Sequence, residues 1–278
     1  MSGFRFCVAH LVWGPLGLSH LERFIESYRA HDAGHPHELV AIINNVDDRL
    51  RASARRVLAD VPHRALVLES PALDIDAYRL VTTEIAADGY LFLNSYSRIL
   101  AGGWAAHYVS ALRAAGVGVV GAGGSYRSMR EYNPWRPVHG PLPLYKLLPL
   151  YASTTLRCWE TRLRFPAAPC PYVRTNAFAM TSETIGLVGW PACGSKRATW
   201  QFEAGRRNMT RRTQAIGRRC VLVDRSGRIS DIPDWPTSNT YWSGAQQALL
   251  VADNRSDEYG RATPAERLEM ARGNWPQR

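Results

Sequence analysis

Four short polar stretches follow apolar runs in the first half of this chain. Trp13 and Gly14 stand in "WGPLG" after "RFCVAHLVW", and Asn44 and Asn45 close "HELVAIINNV". Asp74 and Asp76 come after "HRALVLES", and Asn94, Ser95, Tyr96 and Ser97 end "GYLFL". Amides and hydroxyls of this kind hydrogen-bond the hydroxyl and phosphate oxygens of a ligand, and carboxylates accept from its hydroxyls. In the second half, "ATWQFEAGRRNMTRR" sets Glu203 ahead of Arg206, Arg207, Arg211 and Arg212. That is a carboxylate beside a block of guanidinium forks, which match phosphate oxygens bidentately. The same stretch also fits a plain helix start. Glu203 would then complement the dipole and pair with Arg207 at i+4, and the arginines would form a solvated face.

The elements that must carry these residues alternate between strand and helix, the pattern of a parallel sheet with helices packed on it. Strands are expected at 5–13, 37–46, 63–70, 89–97 and 117–125, with helices between them. In "LERFIESYRAH" (21–31), Leu21, Phe24, Ile25 and Tyr28 share one helical face. "DIDAYRLVTTEIAAD" (74–88) opens a helix with Asp74 and Asp76 in its first turn, where the dipole favours carboxylates. In such a sheet, ligands gather at the carboxyl ends of the strands, which is where all four polar stretches fall. Asp47 and Asp48 suit a solvated turn or a helix cap.

The second half changes character. Residues 126–160 are rich in proline, aromatics and arginine, as in a surface excursion or insertion, and Leu147, Leu148, Leu150 and Tyr151 there pack on the body or touch a lipid. A strand returns at 172–183, a single helix is expected over 201–217 closed by Gly217, and a strand and turn follow at 220–228. "TPAE" starts the last helix as a capping box, with Thr263 as cap, Pro264 first in the helix and Glu266 third. The division is into halves of one domain, 1–125 and 126–278.

The chain has 278 residues and a net charge of +10, and arginine supplies most of the positive charge. This suits a nucleotide sugar, a lipid phosphate or a nucleic acid as ligand, and equally an arginine-rich composition with no ligand behind it. There is no G-x-G-x-x-G after the first strand, no P-loop and no G-x-S-x-G elbow, which speaks against dinucleotide dehydrogenases, P-loop NTPases and serine hydrolases. The eight histidines form no metal-binding pair. Five scattered cysteines without a C-x-x-C, no signal peptide and no apolar run long enough to span a bilayer imply a cytoplasmic protein with buried thiols.

Seven pieces, in order, resemble bacterial GT-A-type glycosyltransferases of the inverting, sugar-nucleotide-dependent class. They are "HLVWGPLGLSHLERFIESYRAH", "LDIDAYRLV", "YLFLNSYSRILAGGW", "VGVVGAGGSYRS", "VRTNAFAM", "FEAGRRNMTRR" with "VLVDRSG", and "LLVADNRSDEY". The resemblance implies a Rossmann-like, mostly parallel sheet flanked by helices, with the nucleoside-diphosphate sugar bound over the first half and the acceptor entering over the second. Trp13, Gly14 and Asn44 would cradle base and ribose, and Asp74 and Asp76 would contact them too. Arg174, Thr175 and Asn176 would lie beside the donor sugar or the acceptor. Glu203 would be the catalytic carboxylate that deprotonates the acceptor hydroxyl.

Asn94, Ser95 and Tyr96 stand where that family carries an acidic metal-binding motif. Neutral oxygens hold Mg²⁺ or Mn²⁺ poorly without a carboxylate. The expectation is therefore that no metal is required or that a divalent metal acts weakly, with no residue assigned to it. Arg206, Arg207, Arg211 and Arg212 would supply the compensating charge. The acceptor class stays open among glycan, lipid-linked glycan, protein and nucleic acid. Two other readings stand beside this one: a nucleic-acid-modifying glycosyltransferase that holds a phosphate backbone on its basic surface, and a non-catalytic sugar-nucleotide-binding protein on a decayed fold.

Overall fold

Alternate residues of the first strand, β1 (Phe6–Trp13), belong to two different cores. Phe6, Val8 and Val12 face one, and Cys7, Ala9 and Leu11 face the other. A strand apolar on both sides must be covered on both sides, and helices do this. The computed structural model describes residues 3–131 and 159–275. Most of the proline-rich segment, including Leu147, Leu148, Leu150 and Tyr151, lies outside the described residues.

After β1 come α1 (Ser19–Ala30), β2 (Glu38–Asn44), α2 (Asp48–Leu58), β3 (Arg64–Val67), α3 (Asp74–Glu84), β4 (Gly89–Leu93), β5 (Arg98–Ile99), α4 (Trp104–Arg113), β6 (Val117–Gly121) and β7 (Gly124–Ser125). Beyond the undescribed segment lie α5 (residues 159–164), β8 (Tyr172–Val173), β9 (Ala177–Thr181), α6 (Ser182–Val188), α7 (Lys196–Ala204) and α8 (Met209–Ala215). The chain continues through β10 (Arg219–Val223), β11 (Ile229–Asp231), β12 (Val251–Ala252), α9 (Asn254–Arg261) and α10 (Pro264–Asn274).

The central sheet has eight strands in the order β11-β10-β6-β9-β4-β1-β2-β3. Four of its pairings are parallel and three antiparallel, so the expected α/β architecture is present. Where consecutive parallel strands are expected, β9 runs antiparallel between β4 and β6, with Phe92 opposite Phe178. One face is covered by α1, α2 and α4 through Phe24, Leu58, Trp104 and Tyr108. The other is covered by α3, α6, α7 and α8 through Tyr78, Val81, Ile185, Phe202 and Met209. No helix among the described residues is long and apolar enough to cross a membrane.

Two short antiparallel ribbons stand off the sheet, β5 with β12 and β7 with β8. Each delivers one residue of the site from the position just past its end, Asp253 after β12 and Arg174 after β8.

The single helix expected over 201–217 is two helices. Gly205 ends α7, where a Cβ would lie 2.5 Å from the Gln201 carbonyl oxygen, and Asn208 starts α8 by accepting a hydrogen bond from the Arg211 N–H at 2.8 Å. Glu203 therefore sits in the last turn of a helix, where the dipole disfavours a carboxylate. Arg207 lies beyond that helix, and the predicted i+4 pair with Glu203 does not form. The capping box at Thr263 and Glu266 is present as expected, and so is an Asp47 cap on α2.

Candidate active site

Glu203 lines a cleft of about 330 Å³ together with Tyr172, Arg174, Trp200, Tyr241 and Trp242. The segment that the sequence presents as one strand breaks at Arg174, Thr175 and Asn176, between β8 and β9. The break frees the Thr175 N–H, which donates to Glu203 Oε1 at 3.1 Å and fixes the carboxylate. Burial pushes the Glu203 carboxyl up, and the charge of Asp74 adds to this, while Arg174 and the Thr175 hydrogen bonds pull the other way. The net shift is upward. Asp74 is itself raised by burial, with a smaller contribution from Asp76, so two carboxyls with raised pKa values lie within electrostatic reach of each other.

Arg174 is locked in place. Its guanidinium donates to Asp253 Oδ2 at 2.8 Å and lies 3.7 Å from the centre of the Tyr241 ring. Asp253 is 1% exposed and also caps α9, accepting from the Arg255 and Ser256 N–H groups. Burial alone would lower the Arg174 pKa, but Asp253, Tyr241 and Glu203 outweigh it and hold the guanidinium charged. The walls close in because of two glycines. A Cβ at Gly123 would come within 2.8 Å of Tyr241 Cβ, and one at Gly124 within 2.4 Å of the Trp235 ring.

The residues described as lining the cleft include no histidine or cysteine. Cys7, Cys170, Cys193 and Cys220 are free and buried, and burial raises each thiol. None is an activated nucleophile. Glu203 is thus the base candidate of the cleft, oriented and of raised pKa.

The strand-end residues are arranged differently. Asn44 is fully buried and exchanges two hydrogen bonds with the Ala72 backbone, at 2.7 and 3.1 Å, tying the end of β2 to the loop before α3. Asp76 accepts from the N–H groups of Cys193 and Gly194 and anchors the loop before α7. Gly14 packs so tightly on Asn45 that a Cβ there would meet its carbonyl oxygen at 1.9 Å. Trp13 beside it keeps part of its surface open.

Asn94 Oδ1 accepts from the Tyr96 N–H and the Ser97 hydroxyl, while its own N–H and that hydroxyl both donate to the Asn176 carbonyl. The "NSYS" stretch is thereby a closed turn that sets β5, and through β12 the position of Asp253. Ser95 is buried and Tyr96 meets the His20 ring edge-on. A divalent cation would find only neutral oxygens here, of which Asn94 Oδ1 and the Ser97 hydroxyl are already engaged. Among the described residues no group of three or more His, Cys, Asp or Glu is placed to hold one. The donor set does not fit a metal.

The arginines after Glu203 are not brought to it. Arg206 donates to the carbonyls of Leu163 and Arg162, and Arg212 to those of Arg207 and Gly189. With Arg207 they line a separate cleft on another side of α7. The guanidiniums that do line the Glu203 cleft are Arg127, Arg174 and Arg255. The sequence singles out only Arg174. Asp253, Tyr241 and Asn274 reach the site from the C-terminal third; Asp253 lies in the quoted "LLVADNRSDEY" and heads a D-x-x-S helix cap, while no local signal marks Tyr241 or Asn274.

No protein-family model matches the sequence, and no curated protein sequence matches it. Among solved structures, a mannosyltransferase from Pyrobaculum calidifontis, PcManGT, in complex with GDP-Man and Mn²⁺, is similar at 14% identity and a TM-score of 0.46, over 79% of this chain and 54% of that one. The chain thus spans about half the length of that protein. TarS of S. aureus is similar at 14% identity and a TM-score of 0.33, over 42% of this chain and 34% of a 1–349 form or 21% of a second structure. Likenesses this distant carry no argument about activity, which must come from the cleft itself.

Proposed function

We propose that this protein is a glycosyltransferase that moves a sugar from a nucleoside-diphosphate sugar to an acceptor hydroxyl with inversion, Glu203 being the general base. The observation that carries the proposal is the Glu203 carboxyl itself: held by the Thr175 N–H, raised in pKa by burial, and open to a cleft walled by aromatic rings and arginine.

In the proposed step Glu203 accepts the proton of the acceptor hydroxyl. That oxygen bonds to the anomeric carbon, and the bond to the diphosphate breaks with its electron pair leaving on the diphosphate. Arg174, fixed in advance by Asp253 and Tyr241, stands ready for the developing negative charge without reorganising. The donor lies over the strand ends of the first half, where Trp13, Asp74, Ser95 and Tyr96 keep their places as contacts. Asn44, Asp76 and Asn94 shape the site through the backbone they hold. No geometry among the described residues favours the nucleic-acid-modifying or non-catalytic readings over this one.

Thermal-shift screening against nucleoside diphosphates and nucleotide sugars identifies the donor, since a ligand at 100 times its Kd adds about 2.7 kcal/mol. With that donor, Glu203→Gln is expected to bind as the parent does and to slow transfer, or hydrolysis with water as acceptor, by about 10²–10⁴-fold. Turnover within a factor of a few of the parent would make Glu203 a structural residue.

A further inference from the structure

We propose that the Glu203 cleft selects an anionic saccharide, one carrying a carboxylate or phosphate, as the acceptor. The word acceptor rests on the reading above; the preference for negative charge rests on the cleft alone.

The cleft has a cationic mouth over an aromatic body. Of its three guanidiniums, Arg174 is held by Asp253 and is the one that the reading above assigns to the leaving diphosphate. Arg127 is exposed and has no ion-pair partner among the described residues. Arg255 pairs only with Glu258, and both side chains are more than half exposed, at 59% and 51%. An exposed pair of this kind contributes roughly 0–1 kcal/mol and exchanges readily for a better anion. A carboxylate or phosphate is such an anion, because it can take two parallel N–H bonds from one guanidinium. Glu203 is the acidic residue among those lining the cleft.

Trp200, which is 41% exposed, offers ring surface to the apolar side of a sugar, while Tyr241 and Trp242, stacked on each other with Arg174 over the Tyr241 ring, form the wall of the cleft. Asn274, 3% exposed, adds a directed donor. Its Oδ1 accepts from the Ser125 hydroxyl at 2.6 Å, while its Nδ2 is buried without a hydrogen-bond partner among the described residues. Buried amide donors are normally satisfied, so this one is suited to an oxygen that the ligand brings. The volume, about 330 Å³, falls at the small end of ligand pockets, which run from about 300 to 1,000 Å³. It therefore suits a single sugar unit with its acid group near the cleft mouth.

The test uses the full chain with D-glucuronic acid, glucose 6-phosphate and D-glucose as probes, and affinities read by calorimetry. At least one anionic sugar is expected to bind about tenfold or more tighter than glucose; glucuronate against the phosphate tells which acid group fits. In the double variant Arg127→Gln/Arg255→Gln the preference should shrink to within about threefold. In Glu203→Gln it should persist or grow, because the opposing carboxylate is gone. Equal binding of all three sugars, no binding by any, or a preference that survives the double variant would each overturn the proposal. A charge preference that holds while Glu203→Gln keeps full turnover supports the anion site and overturns only the acceptor reading, so the two fail separately.

Discussion

Two sets of polar side chains sit at or just beyond the ends of strands and helices, and their hydrogen bonding separates them. Asn44, Asp76 and Asn94 give their oxygens to backbone N–H groups or a neighbouring hydroxyl, and they close loops. Glu203, Arg174 and Asn274 lie in the cleft with charge or donor capacity in reserve: a carboxyl of raised pKa, a guanidinium held against an aromatic ring, an amide nitrogen without a partner among the described residues. Residue type does not separate the sets, since an asparagine and a carboxylate occur in both. A polar group that the fold has satisfied positions other groups, whereas one left open by the fold is available for a ligand.

The sharpest way to break this comparison is Asp253→Ala. It strands the Arg174 charge, which is 13% exposed, and removes the cap of α9. Urea unfolding is expected to show a loss of about 3–5 kcal/mol, as when one partner of a buried pair is removed. A loss below about 1 kcal/mol would mean that Arg174 finds water or another partner, and that it is not preorganised. Asn44→Ala should come next. It abandons an N–H and a carbonyl of Ala72, at about 1–3 kcal/mol, and should act on stability while leaving probe-sugar affinity in the Glu203 cleft unchanged.

Glu203→Gln should behave in the opposite way. A carboxyl raised in the folded state favours folding when protonated, so its contribution is fully present below the unfolded pKa, about 4.3, and is lost as pH rises through the folded value. Wherever the parent is ionised it therefore holds an unfavourable charge, so from pH 4 to pH 7 the variant should gain stability relative to the parent or hold level with it; near pH 4 the two should converge. Urea midpoints at the two pH values decide, and a variant less stable at pH 7 would place Glu203 with the structural set. The smallest effect is expected for Asn94→Asp, which keeps both acceptor bonds of the turn and should stay within about 0.5 kcal/mol.

Much of this was legible in the sequence. The acidic first turn of α3, the capping box of α10 and the strand-helix alternation of the first half follow from local pattern, whereas Arg174 and Glu203 were singled out by the family resemblance. The antiparallel β9 was not legible, because an apolar run such as "AFAMT" has the same period in either direction. The break at Gly205 had a visible sign, since glycine three residues before an asparagine cap ends one helix and starts another. The arginine block after Glu203 misled because neighbours in sequence across such a break point different ways. The partners Asp253, Tyr241 and Asn274 come together only in the tertiary fold.

The antiparallel strand also sets a timetable for assembly. Residues 177–181 fill the gap between two strands synthesised more than fifty residues earlier, and each edge of that gap is apolar. Until they emerge, the first 125 residues hold one four-stranded fragment, β4-β1-β2-β3, and a lone strand, β6, with no strand to join them. Pairings this distant in sequence are slow to form, and open edges invite association between chains. A nascent chain stalled before residue 177, or a truncation that ends there, should therefore be a substrate for chaperones and not an independently folded unit.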